Sequence, residues 1–104
     1  MTAVAVRMEV AWNIARKCDD VARVLRSLSH PVRLKILSRL VERERSVNDL
    51  TESCGTSQSA MSQFLKRMKR EGLVESRRER HFMFYRIADP KLHKLMRAMS
   101  DIYC

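Results

Sequence analysis

Glycine and proline are scarce, with two of each in 104 residues, and no repeat or low-complexity segment breaks the chain. The scarcity excludes a Gly-rich phosphate cradle and argues for a mainly helical domain. Cysteine is sparse and odd in number (Cys18, Cys54, Cys104). That set excludes the disulfide framework of a small secreted domain and leaves free thiols or a regulatory pair. No apolar run approaches the roughly 18 residues of a membrane span. The apolar start, Met1 to Val6, is too short for a signal peptide, so the expected location is the cytoplasm. Acidic residues are also few: 12 against 21 Lys and Arg, a formal net charge of +9. Such a surplus on a small chain suggests a polyanionic partner, nucleic acid before membrane. Charge alone does not choose between DNA, RNA and an acidic protein.

The length suits one small domain, expected over residues 1–104 with a flexible tail at 1–7. A first helix is expected over 8–28, from the spacing of Val10, Ile14, Val21, Val24, Leu25 and Leu28. Ser29 is read as the N-cap of a second helix, with Pro31 in its first turn and an apolar face of Leu34, Ile36, Leu37, Leu40 and Val41. Ser46-Val47-Asn48-Asp49 resembles a capping box and opens a short third helix ending near Cys54-Gly55. Thr56 or Ser57 then caps a fourth helix, and Gly72 ends it. Ala60, Met61, Phe64, Leu65 and Met68 form its apolar stripe. Two tightly joined helices, the second basic, make a helix-turn-helix.

Leu73 to Arg78 and the aromatic run His81 to Ile87 read as a two-stranded hairpin, with a polar tip near Arg78-Glu79-Arg80-His81. Asp89-Pro90 caps a last helix through Leu92, Leu95, Met96, Met99 and Ile102. The order α-α-α-α-β-β-α, mainly α with a small hairpin, is a winged helix-turn-helix. Between Ser57 and Arg86, eight Lys and Arg stand against three Glu. Base contacts are therefore expected from Ser57, Gln58, Ser59, Ser62 and Gln63. Phosphate contacts are expected from Lys66, Arg67, Lys69, Arg78 and Arg80, with Arg77 and Arg86 bracing the wing. A bland alternative is an amphipathic surface helix with solvated charges; the hairpin that follows favours DNA. No nucleophile and base stand at catalytic spacing and no metal set is complete, so neither an enzyme nor a cofactor is expected.

Leu25 to Leu37, Ser57 to Leu65, and Gly72-Leu73-Val74 with Arg77-Arg78 and Phe84-Tyr85-Arg86 resemble, in order, the opening, recognition helix and wing of the ArsR/SmtB repressors. The Ser-Gln-Ser-Ala helix and the Ser100-Asp101-Ile102-Tyr103 ending are most similar to the branch of HlyU, BigR, SqrR and NolR. The resemblance implies a homodimer through the first and last helices, 8–28 and 90–104, reading an inverted-repeat operator in double-stranded DNA. The apolar and Met content of both terminal helices agrees.

The resemblance also offers three signals to compare with the residues. The arsenic and cadmium type needs thiolates where this chain has Ser46 and Asn48. The zinc type needs paired Asp and His on the last helix, which offers Asp89, His93 and Asp101 without the late histidine pair. An exposed, solvated His93 is expected. The thiol type needs a cysteine on the second helix and one on the last; Cys104 matches the second, and Ser38 stands at the first. Three readings stay open. Ser38 is an engineered replacement, or Cys18 (with Cys54 a later choice) replaces the missing partner, or no thiol senses anything. The favoured expectation is a repressor released by an oxidant or reactive sulfur. A metal-responsive or ligand-independent repressor, and a protein-interaction module without specific DNA binding, are the alternatives.

Overall fold

Each helix of the central body starts where a side chain accepts a bond from an otherwise orphaned backbone N–H. In the computed structural model, which describes residues 3–104 apart from the Ile14 side chain, four residues do this. His30 Nδ1 accepts from Val32 N at 3.1 Å and starts α3 (Pro31–Glu42). Ser46 Oγ accepts from Asp49 N at 3.1 Å and starts α4 (Val47–Cys54). Ser57 Oγ accepts from Ala60 N at 3.1 Å and starts α5 (Gln58–Arg70). Asp89 Oδ1 accepts from Lys91 N at 2.9 Å and starts α6 (Pro90–Tyr103). Ser29 is therefore not the cap of α3. Its hydroxyl turns back and donates to the Arg26 carbonyl at 2.7 Å.

The expected first helix is two. α1 (Ala3–Arg16) and α2 (Cys18–Ser27) meet at Lys17, whose φ of −114° and ψ of 14° leave the helical region. Asp19 and Asp20 explain a new start here, because carboxylates stabilise the positive end of a helix dipole. The expected tail is helical from Ala3 onward; residues 1 and 2, like the Ile14 side chain, lie outside the described residues.

The hairpin is β2 (Val74–Glu79) and β3 (Phe82–Ile87), paired antiparallel from Val74↔Ile87 to Glu79↔Phe82. A further strand, β1 (Arg45–Ser46), pairs Arg45↔Tyr85 and Ser46↔Phe84, so the sheet order is β1-β3-β2. Two residues leave no periodic signal in a sequence. Gly55 and Gly72, at φ 67° and 78°, end α4 and α5 in the left-handed region that a Cβ disfavours.

The core lies between α3, α4, α5, the sheet and α6. Ile36, Leu37, Leu50, Met61, Leu65 and Met68 are fully buried, and Tyr85, Leu92 and Met96 close the far side. His93 is not solvated: it is half-buried, and its Nε2 donates to the Val41 carbonyl at 3.1 Å, joining α6 to α3. By contrast α2 buries no side chain, and Val4, Met8 and Trp12 of α1 are exposed, Trp12 at 65%. Ile102 and Tyr103, at the end of α6, are exposed too. Among the described residues no helix is long and apolar enough to cross a membrane.

Candidate nucleic-acid interface

Met61, Leu65 and Met68 lock one face of α5 into the core. The opposite face follows from helical spacing: Ser59, then Gln63, Lys66 and Arg70, four, seven and eleven residues on, all exposed. This is the chemistry a groove-reading helix needs, with small and amide side chains first and cations toward the end. Arg70 belongs to this line, although it was not among the expected contacts; counting along the helix from Ser59 finds it. Arg67 is exposed on one flank, and Ser62 is half-buried on the other.

Three expected contacts already have partners. The Ser57 hydroxyl is the cap of α5, so its first task is to hold the helix start. Gln58 Nε2 donates to Asn48 Oδ1 at 3.3 Å, which ties the two helices of the helix-turn-helix and orients the amide. Asn48 is the residue that orders Gln58, and its place in the cap sequence of α4 hid that function. With Ser46, Ser62, His81 and Phe82, these two side chains line a shallow hollow of about 260 Å³ between the helices and the wing tip. Lys69 leans to the wing, where its Nζ donates to Ser76 Oγ at 2.7 Å.

The wing divides its arginines by function. Arg77 donates to Glu44 at 2.6 and 3.0 Å and to Glu79 at 2.8 Å, and its guanidinium lies 4.7 Å from the centre of the Phe84 ring. The hydrogen bond from Arg77 holds the Glu44 carboxyl below its ordinary pKa of 4.5. Arg86 pairs with Glu75 across the strands. Both are braces, as expected. Arg78 and Arg80 are exposed and, among the described residues, paired with no carboxylate. They stay free to meet phosphates. Lys66, Arg67 and Arg70 are likewise unpaired among the described residues.

The three thiols are free. Cys18 opens α2 and Cys104 follows α6, both exposed, whereas Cys54 is buried at the end of α4. Ser38 is exposed on α3, and its hydroxyl donates to the Lys35 carbonyl at 2.7 Å.

Comparison with known proteins matches residues 30–76 to the model described as bacterial regulatory protein, arsR family. The chain is similar to the biofilm growth-associated repressor of Xylella fastidiosa strain Temecula1, 38% identical over 92 residues, covering 88% of this chain and 81% of the relative. It is similar to the crystal structure of the transcriptional repressor BigR from Xylella fastidiosa, with a TM-score of 0.85 and 37% identity over 90% of this chain and 96% of that one. It is also similar to the solution structure of the homodimeric winged helix-turn-helix DNA-binding domain of Mb0332 from Mycobacterium bovis. There the TM-score is 0.74 and the identity 35%, over 85% of this chain and 82% of that one.

Proposed function

We propose that this chain, which belongs to the ArsR family of bacterial regulatory proteins and is a DNA-binding winged helix-turn-helix transcriptional regulator, acts as a homodimeric repressor. The observation that carries the reading is the exposed line of Ser59, Gln63, Lys66 and Arg70 on α5 beside the unpaired Arg78 and Arg80 of the wing. Gln58, Ser59, Ser62 and Gln63 read base edges in a major groove; Lys66, Arg67, Lys69, Arg70, Arg78 and Arg80 bind phosphates on either side. Ser57 holds the start of the reading helix and donates its hydroxyl proton to the backbone of the DNA.

Homodimerisation is supported by the exposed apolar side chains of α1, α2 and the end of α6, and by the homodimeric state of the Mb0332 domain. A two-fold pair of α5 helices then reads an inverted repeat with half-sites about one helical turn, 34–36 Å, apart. The place of action is the nucleoid in the cytoplasm. Release follows joining of Cys104 and Cys18 by an organic polysulfide, whose S–S bond breaks as it takes up the two electrons and two protons and leaves as thiol. The exposure of both cysteines supports the reaction, and buried Cys54 is a poorer choice. A bridge between these helices tilts the subunits, and a coupling of about 1–3 kcal/mol weakens operator binding roughly 5–150-fold.

Fluorescence anisotropy on DNA from upstream of the gene tests both parts. Reduced protein is expected to bind tightly and sequence-specifically, and treatment with an organic polysulfide to weaken it. Nonspecific binding at physiological salt would overturn the repressor reading and favour a protein-interaction module. Equal binding by both forms would remove the thiol signal, and Ser38→Cys would then test whether a second thiol restores it.

A further inference from the structure

Arg33 stands in the first turn of α3, where the positive end of the helix dipole disfavours a cation, and its side chain is only 9% exposed. A charge so placed needs strong partners. It has two, from different elements. Its Nη1 donates to the Ser27 carbonyl at 3.1 Å, an orphan acceptor at the last residue of α2. The same guanidinium donates to both carboxylate oxygens of Glu71, at 2.7 and 3.4 Å, and Glu71 is the C-cap of α5. One cation therefore joins the end of α2, an element whose side chains are all unburied, to the end of the DNA-reading helix.

We infer that Arg33 is a positioning residue: the Ser27–Arg33–Glu71 strut fixes the angle between α2 and α5, and with it the separation of the two reading helices across the dimer. The inference rests on the homodimeric reading above. A planar guanidinium suits the task, because its donors are held in fixed directions and bind a carboxylate at two points. Arg33 and Glu71 are not among the proposed DNA contacts. The strut acts through α5, and its loss leaves the reading of a single half-site intact.

The test uses an operator selected from random duplexes, a single half-site, and operators with one base pair added or removed between half-sites. One base pair moves a half-site by about 3.4 Å along the axis. Wild type is expected to prefer the selected spacing. In Glu71→Ala and Arg33→Lys that preference should fall by at least about fivefold, the lower end of typical coupling between sites. Binding to the single half-site should stay within about twofold of wild type, below that coupling. Sedimentation confirms that each variant is folded and dimeric; if Glu71→Ala unfolds, Glu71→Gln takes its place, retaining shape without charge. Variants that keep the wild-type spacing preference overturn the strut. So do variants that weaken half-site and full operator alike with the preference unchanged, which mark a merely structural ion pair. A wild type indifferent to spacing sinks the homodimeric reading itself, a failure visible before any variant is made.

Discussion

Arg80 is the first residue of the two-residue turn at the wing tip, and its φ of 57° lies in the left-handed region. For a residue with a Cβ that conformation costs about 1–2 kcal/mol. A glycine there would escape the cost, so the arginine is retained at the expense of stability. Arg80→Gly is expected to stabilise the fold by up to about 1 kcal/mol, after subtracting glycine's greater entropy loss. Thermal unfolding measures that gain. The same variant should weaken binding to every DNA sequence and reduce the salt slope by about one. An unchanged slope would remove Arg80 from the phosphate contacts. Gln63→Ala should do the opposite: it relaxes preference at one base position, costing about 1–3 kcal/mol there, and leaves the salt slope alone. Binding to a panel of single-base operator variants separates the two.

Among the elements, α5 depends on its cap and its buried face in different degrees. Ser57→Ala removes one bond to an orphan N–H and should cost about 1 kcal/mol. Leu65→Ala opens a cavity in the core and should cost about 2–5 kcal/mol, read as a shift in the denaturation midpoint. The wing adds an ion pair at its surface to the burial of Val74 and Tyr85. Glu44 titrates below 4.5 in the folded state because Arg77 bonds to it. Its contribution is therefore complete above that value and is lost as pH falls through the lower folded pKa. Glu44→Gln should be less stable than wild type at neutral pH, and the two acid-denaturation curves should converge below pH 4.5. Curves that stay parallel would show that the pair does not anchor the wing.

The elements were legible to unequal degrees, for physical reasons. Ser46, Ser57, Asp89 and both glycines mark boundaries with local chemistry, so α4, α5 and the start of α6 are readable in sequence. The cap at His30 is an imidazole nitrogen, a rarer acceptor that hides behind the more familiar Ser29. The break at Lys17 leaves the helical spacing nearly unbroken, so only Asp19 and Asp20 hint at it. β1 exists because Arg45 and Ser46 lie beside β3, and that proximity is tertiary. The exposed polar face of α5 was legible as the complement of its apolar stripe. The Asn48–Gln58 bond and the Arg33–Glu71 pair were not, since they join side chains 10 and 38 residues apart.

At the scale of the whole molecule, the apolar side chains divide into those facing the core and those that face outward, which apart from Phe82 of the wing lie on α1, α2 and the end of α6. Trp12 and Tyr103, at 65% and 83% exposure, are the largest of the second group. Trp12→Glu is expected to shift the protein from dimer to monomer in sedimentation and to lower affinity for the full operator at least about tenfold, because linked half-sites are then lost. Affinity for a single half-site should be unchanged. A Trp12→Glu protein that remains dimeric would place the interface elsewhere.

α1 makes a last consequence visible. It has 14 residues, and none of its described side chains is buried. Helices of about 12–15 residues are marginal in water when nothing packs against them. In the proposed homodimer a second copy supplies that packing, and far-ultraviolet circular dichroism is expected to lose helix on dilution before the core melts. A newly made subunit would carry an unwound arm until it meets its double. Proteases cut such arms readily, so the lifetime of each subunit would depend on how soon it is paired.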